Sequence, residues 1–139
     1  MSKTTILEKI EAGWQEIFDI VKNESELQII KKTSENSWSI KDILGHVSTW
    51  EHEALVCLPV ILRGEKPKSY RRDYGGIDAF NALKIRQKAN MPLNLVLAEF
   101  QAVHLQLMDN LHTIPEEEYK SGTRFMRRLG WDTFKHYPE

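Results

Sequence analysis

Little in this chain of 139 residues ties it together covalently or draws it to a polyelectrolyte. Cysteine occurs once, at Cys57, so no intramolecular disulfide can form and a reducing compartment is the matching environment. Lys and Arg number 19 against 20 Asp and Glu, a net charge of -1, which leaves no global attraction to nucleic acid or to an anionic membrane. The longest apolar run, residues 54–62, is broken by Pro59 and falls far short of the ~20 residues that span a bilayer. Residues 1–13 hold neither the apolar core nor the small-residue cleavage site of a secretory signal. The expectation is a cytoplasmic protein with no nucleic-acid and no membrane partner. Catalytic signatures are missing as well: the chain has no His-x-x-x-His, no Cys-x-x-Cys, no His-Glu-x-x-His and no Gly-x-Ser-x-Gly, and Gly75-Gly76 lacks the pattern of a phosphate loop. No internal repeat and little period-two alternation argue for strands.

What is present is helical periodicity. Apolar residues make up 41% and charged residues 28%, a globular balance, and the length suits one domain over residues 1–139 with a core of its own. Ile6, Leu7, Ile10, Trp14, Ile17, Phe18 and Val21 recur at steps of three and four, predicting a helix over residues 4–22. Residues 23–36 read as a polar connection with room for one loose turn. Ser39-Ile40-Lys41-Asp42 has the shape of a capping box and starts a second helix. Its apolar face continues through Leu62, with Pro59 expected to bend it and Gly64 to stop it.

Residues 65–76 are predicted as a loop, a solvated crossover or a cover for a site. Helical stretches follow from Asp78 to Lys88 and, after Pro92, through Leu93, Val96, Phe100, Val103, His104, Leu107 and Leu111. In the tail, Glu116, Glu117 and Glu118 suggest an acidic helix start, and Trp131-Asp132 is expected to open a last, short or truncated helix capped by Asp132. Lys120, Arg124, Arg127, Arg128 and Lys135 read either as a solvated basic loop or as an anion-facing cluster.

Chemistry concentrates on the second helix, where His46, Trp50, Glu53 and Cys57 share one azimuth beside the core stripe. An imidazole there can face a cavity between helices and bind metal or move a proton, or can simply be hydrogen-bonded at the core edge. His104 sits mid-face on the later helix, as a satisfied core histidine or a second inward ligand. His52 and His112 are expected at the surface, and His136 in the terminal segment beside Phe134 and Tyr137. His46 and His136 supply two metal donors where a catalytic site takes three, with Glu51, Glu53 and His104 as candidates for the third. Cys57, among Val56, Leu58 and Pro59, reads as inert packing more than as a nucleophile.

The run Trp38-Ser39-Ile40-Lys41-Asp42-Ile43-Leu44-Gly45-His46-Val47, with Trp50-Glu51, resembles the second-helix signature of the DinB/YfiT-like four-helix bundle superfamily. Asp78-Ala79-Phe80-Asn81, the stretch from His104 to Leu111 and the closing Trp131-Asp132-Thr133-Phe134-Lys135-His136-Tyr137 look more like its DfsB and colibactin self-resistance branch. The resemblance implies an all-α, up-down-down-up four-helix bundle. It also implies a divalent metal (Zn or Ni) held by one His of the second helix and two of the last, matched here by His46 and His136, with the second of that pair falling beyond Glu139. The self-resistance branch departs from that triad. Two functions follow as expectations. One is a metal-dependent detoxifying hydrolase or thiol transferase with an inter-helix pocket near His46, Trp50, Glu53, Asn81 and His104. The other is a non-enzymatic small-molecule binding or self-protection protein. A homodimer through an exposed apolar face is a further expectation.

Overall fold

Helix α1, Lys3–Lys22, begins where Ser2 accepts a hydrogen bond from the Thr5 amide, and its apolar stripe is buried from Ile6 to Val21 as the spacing predicts. The computed structural model describes residues 2–34 and 36–133. A short α2, Glu26–Ile30, occupies the polar connection and buries only Ile29. Helix α3, Ile40–Leu62, has both halves of its capping box: the Asp42 amide donates to Ser39 Oγ at 3.0 Å and the Ser39 amide to Asp42 Oδ2 at 3.1 Å. It runs through Pro59, as expected, to Leu62, and its buried residues extend up to Leu58, just before the missing amide.

The segment expected to be a plain loop departs from that expectation. It contains α4, Tyr70–Tyr74, capped by Ser69 and ended by Gly75 in the left-handed region (φ 87°), and it buries Tyr70. Helices α5, Ile77–Lys88, and α6, Leu93–Thr113, follow. Glu116–Tyr119 forms a single 3₁₀ turn instead of starting a helix. The last described helix, α7, is Arg124–Asp132 with Thr123 as its cap. This corrects the expectation at Trp131-Asp132: Asp132 ends a helix, and does not open one, because Phe125 and Leu129 bury the preceding turns and Arg128 binds Asp132 four residues on. The expected last helix through Phe134, His136 and Tyr137 lies outside the described residues, as does Lys135.

Helix α3 is the central element. With α1, α6, the 3₁₀ turn and α7 it encloses one apolar cluster, in which Ile10, Leu58, Leu107 and Leu129 are fully covered. A second cluster joins Trp14 and Ile17 of α1 to Leu44 and Val47 of α3 and Phe100 of α6. Each such side chain contributes ~1.5–3 kcal/mol by burial, so Leu58→Ala would remove ~2–5 kcal/mol. A third, aromatic cluster holds Trp50, Tyr70 and Phe80, with Tyr74, Ile77 and Trp131 against it, and so draws α4, α5 and α7 onto one face of α3. Among the described residues there is no strand, and no helix is long and apolar enough to cross a membrane.

Candidate functional site

The face of α3 that meets α4, α5 and α7 carries the polar chemistry. Glu53 is almost wholly buried, and its Oε1 accepts hydrogen bonds from Tyr70 Oη at 2.7 Å and Lys68 Nζ at 2.6 Å. Tyr70 Oη in turn accepts from Arg128 Nη2 at 2.7 Å, and Arg128 Nε donates to Asp132 Oδ2 at 2.8 Å. A chain of charge-assisted bonds thus links α3, α4 and α7 in a region where an uncompensated charge would be costly. Burial pushes the Asp132 carboxyl up to about 7 even though the Arg128 guanidinium opposes the shift. Asp132 Oδ1 has no hydrogen-bond partner among the described residues. Burial and the bond to Glu53 push the Tyr70 phenol well above its ordinary range, so Tyr70 acts as a donor and not as a phenolate. Cys57 Sγ lies 3.9 Å from Tyr70 Oη, and burial raises its thiol pKa, which fits the packing role expected of it.

Two openings lie along α3. A small cavity is lined by His46, Thr49, Asn81, Lys84 and Lys88, with a volume of about 10 Å³, room for about one water. A groove of about 190 Å³ shares Thr49, Lys84 and Lys88 with it and continues to His52, Glu53 and Glu99. His46, Thr49 and Glu53 follow one another at steps of three and four on the same helix face. His46 is half-buried against Trp38, ring centroids 4.7 Å apart, and burial together with the Lys88 ammonium lowers its pKa to about 4. It is therefore neutral at pH 7.

Lys88 is held tightly. Its Nζ donates to the Gly45 carbonyl at 3.2 Å and to Ser48 Oγ at 3.3 Å and pairs with Glu99. Gly45, an unfavourable residue inside a helix, is explained by this approach: a Cβ there would meet the Lys88 side chain at 3.2 Å.

The predicted residues separate into four places. His46 and Asn81 line the small cavity, and Glu53 lines the groove. Trp50 is fully buried in the wall behind them, where its Nε1 donates to Asn81 Oδ1 at 2.8 Å. His104 is in neither opening. It is stacked on Trp14 at 4.3 Å and clasped between Glu51 Oε2 of α3 (Nδ1, 2.8 Å) and Glu11 Oε2 of α1 (Nε2, 2.7 Å). Burial alone would lower its pKa, but the bonds to and charges of Glu51 and then Glu11 outweigh burial and raise it. With a carboxylate at each ring nitrogen, the imidazolium donates both bonds. His52 and His112 are exposed, as expected, and His136 lies outside the described residues.

The basic tail is only in part solvated: Arg124 donates to the Glu65 carbonyl, and Arg128 is withdrawn into the Tyr70–Asp132 chain. Sequence reasoning did not single out Lys68, Tyr70, Asp132 or Lys88 as site residues. The i,i+4 pair Arg128 and Asp132 was the one local signal available.

The profile of the DinB superfamily matches residues 9–136, nearly the whole chain. The chain belongs to the DinB superfamily. Neither the curated proteins nor the solved structures give a match to it. For this DinB-superfamily chain the implied divalent metal can be tested against the residues described. His46 offers a neutral imidazole, the form a metal takes, but the Lys88 ammonium acts on it and would oppose a second cation. No group of three His, Cys, Asp or Glu side chains suited to a metal ion occurs among the described residues. Those residues do not by themselves fit a metal, and no chemical step is derived through one.

Proposed function

We propose that this DinB-superfamily protein acts on a small molecule in the α3–α5 groove, as a hydrolase or thiol transferase in which Glu53 takes the proton from the attacking water or thiol. The reading rests on one observation, a buried carboxylate whose Oε1 is fixed by Tyr70 and Lys68 while the residue lines an open groove. Buried, rigidly held titratable groups at a cleft are costly to keep for packing alone, and they concentrate at working sites. Tyr70, Arg128 and Asp132 are positioning residues, since they act through Glu53. The likeness to the self-resistance branch points to an electrophilic substrate. In this reading α1, α3, α6 and α7 are the four bundle helices. A Zn or Ni ion on His46 and His136 and a homodimer belong to the same proposal, and elemental analysis and light scattering on untagged protein test them.

Turnover of a panel of activated esters, and conjugation of a chlorodinitrobenzene with glutathione, should fall ~10²–10⁴-fold in Glu53→Gln, the usual span for a lost general base. Wild-type rates in a folded Glu53→Gln would refute the role of Glu53. The second reading, binding without turnover, is favoured by closure: Glu53, Cys57 and Asp132 are each at most 3% exposed, as in a rigid binding wall. Saturable binding with no product from any of the panel would select it.

A further inference from the structure

The small cavity at His46 is bordered by lysines and by an amide that can donate. Trp50 Nε1 can only donate, so the Asn81 oxygen is committed to it and the Asn81 amide N–H groups are left as its remaining valence on the cavity. Thr49 Oγ1 gives its proton to the Gly45 carbonyl at 2.7 Å, so on the cavity side it can only accept. Three lysines line the same cavity against one carboxylate, Asp42. Asp42 is already engaged by the Ser39 amide and lies 3.8 Å from Lys32.

The lysines differ in commitment. Lys88 is anchored to Gly45, Ser48 and Glu99, and Lys41 donates to the Ala89 carbonyl at 3.0 Å. Lys84 has no ion-pair partner among the described residues. Its ammonium lies over the Phe80 ring, 5.5 Å from the centroid, and it lines both the cavity and the groove. A half-buried ammonium beside amide donors, at the junction of two openings, is a site for negative charge.

We propose that the Lys84–Asn81 corner is an anion subsite that receives a carboxylate or phosphate group of the ligand, with Lys88 adding to the positive field. The cavity's size admits the head group's leading oxygen, and the shared walls let the rest of the molecule run along the groove toward Glu53. The inference deepens the reading of the groove as a small-molecule site, and narrows its ligands to anionic ones.

The probes are sodium acetate and sodium phosphate, titrated separately at fixed ionic strength while the His46 ring resonances are followed by NMR and assigned with His46→Gln. A saturable shift of these resonances is expected as the anion fills the subsite. Saturation by acetate alone assigns a carboxylate head group, and by phosphate alone a phosphate. Lys84→Met should weaken binding at least about tenfold while Lys84→Arg retains it. Circular dichroism checks that each variant folds. A linear, unsaturable response to both anions, or unchanged affinity in folded Lys84→Met, overturns the subsite. Anion binding without turnover in the ester and conjugation panel leaves the subsite standing and removes catalysis. Turnover that depends on Glu53 without anion binding does the reverse.

Discussion

Replacing His104 by Leu keeps an apolar side chain of similar volume against Trp14 but takes from the completely buried carboxylate of Glu51 the cation that His104 supplies. Removing one partner of a buried pair costs ~3–5 kcal/mol, mostly because the remaining charge stays desolvated. Glu11 holds the other side of the same imidazole with a side chain 49% exposed, so Glu11→Gln should cost only ~0–1 kcal/mol. Urea unfolding at pH 7, followed by tryptophan fluorescence, separates the two. With a slope of ~2 kcal/mol/M, His104→Leu should lower the midpoint by ~2 M and Glu11→Gln by less than ~0.5 M. The double replacement Glu51→Leu/His104→Leu should recover much of the loss, because it removes the stranded charge as well.

The pH dependence has a definite sign. The folded pKa of His104 lies above the ordinary 6.5, so the imidazolium's contribution is complete below about pH 6.5 and is lost as pH rises through the folded value. The gap between wild type and His104→Leu should therefore narrow in alkaline buffer. Equal midpoints for His104→Leu and Glu11→Gln, or a double variant worse than His104→Leu alone, would refute the assignment of a buried ion pair.

The other expectations are more local. Asp132 has a folded pKa of about 7 against an ordinary 3.8, so wild-type stability should fall as pH rises from about 4 to about 7, and Asp132→Asn should remove that slope in thermal unfolding. Ser39→Ala breaks the capping box of α3 and should cost ~1 kcal/mol in urea unfolding; no measurable loss would mean that the cap is redundant. Cys57, 1% exposed and with a raised pKa, should react with a disulfide reagent only at the rate of global opening, and a fast stoichiometric reaction in native buffer would contradict its burial.

Helix α3 was legible in detail because its signals are local. A capping box, a 3.6-residue stripe and a stop near Gly64 all lie within one segment, and they placed His46, Trp50, Glu53 and Cys57 on one face before any contact was known. The exposure of His52 followed from its azimuth opposite His46, and that of His112 from its place at the end of α6. The tail was misread for an equally local reason: Asp132 has the chemistry of a cap, and only the burial of Phe125 and Leu129 shows that the helix precedes it.

Composition and periodicity therefore determined the helical class, the course of the three long helices and the face of α3 that bears the chemistry, since each depends on angles within a single helix. Tertiary structure alone decided the partners. His104 meets Glu51 and Glu11 across 53 and 93 residues, Tyr70 and Arg128 meet across 58, and Lys88 reaches Gly45 across 43. An azimuth says which way a side chain leaves its own helix. Which group it finds depends on the rotation and offset of the neighbouring helices, and these are set by the packing of the whole core.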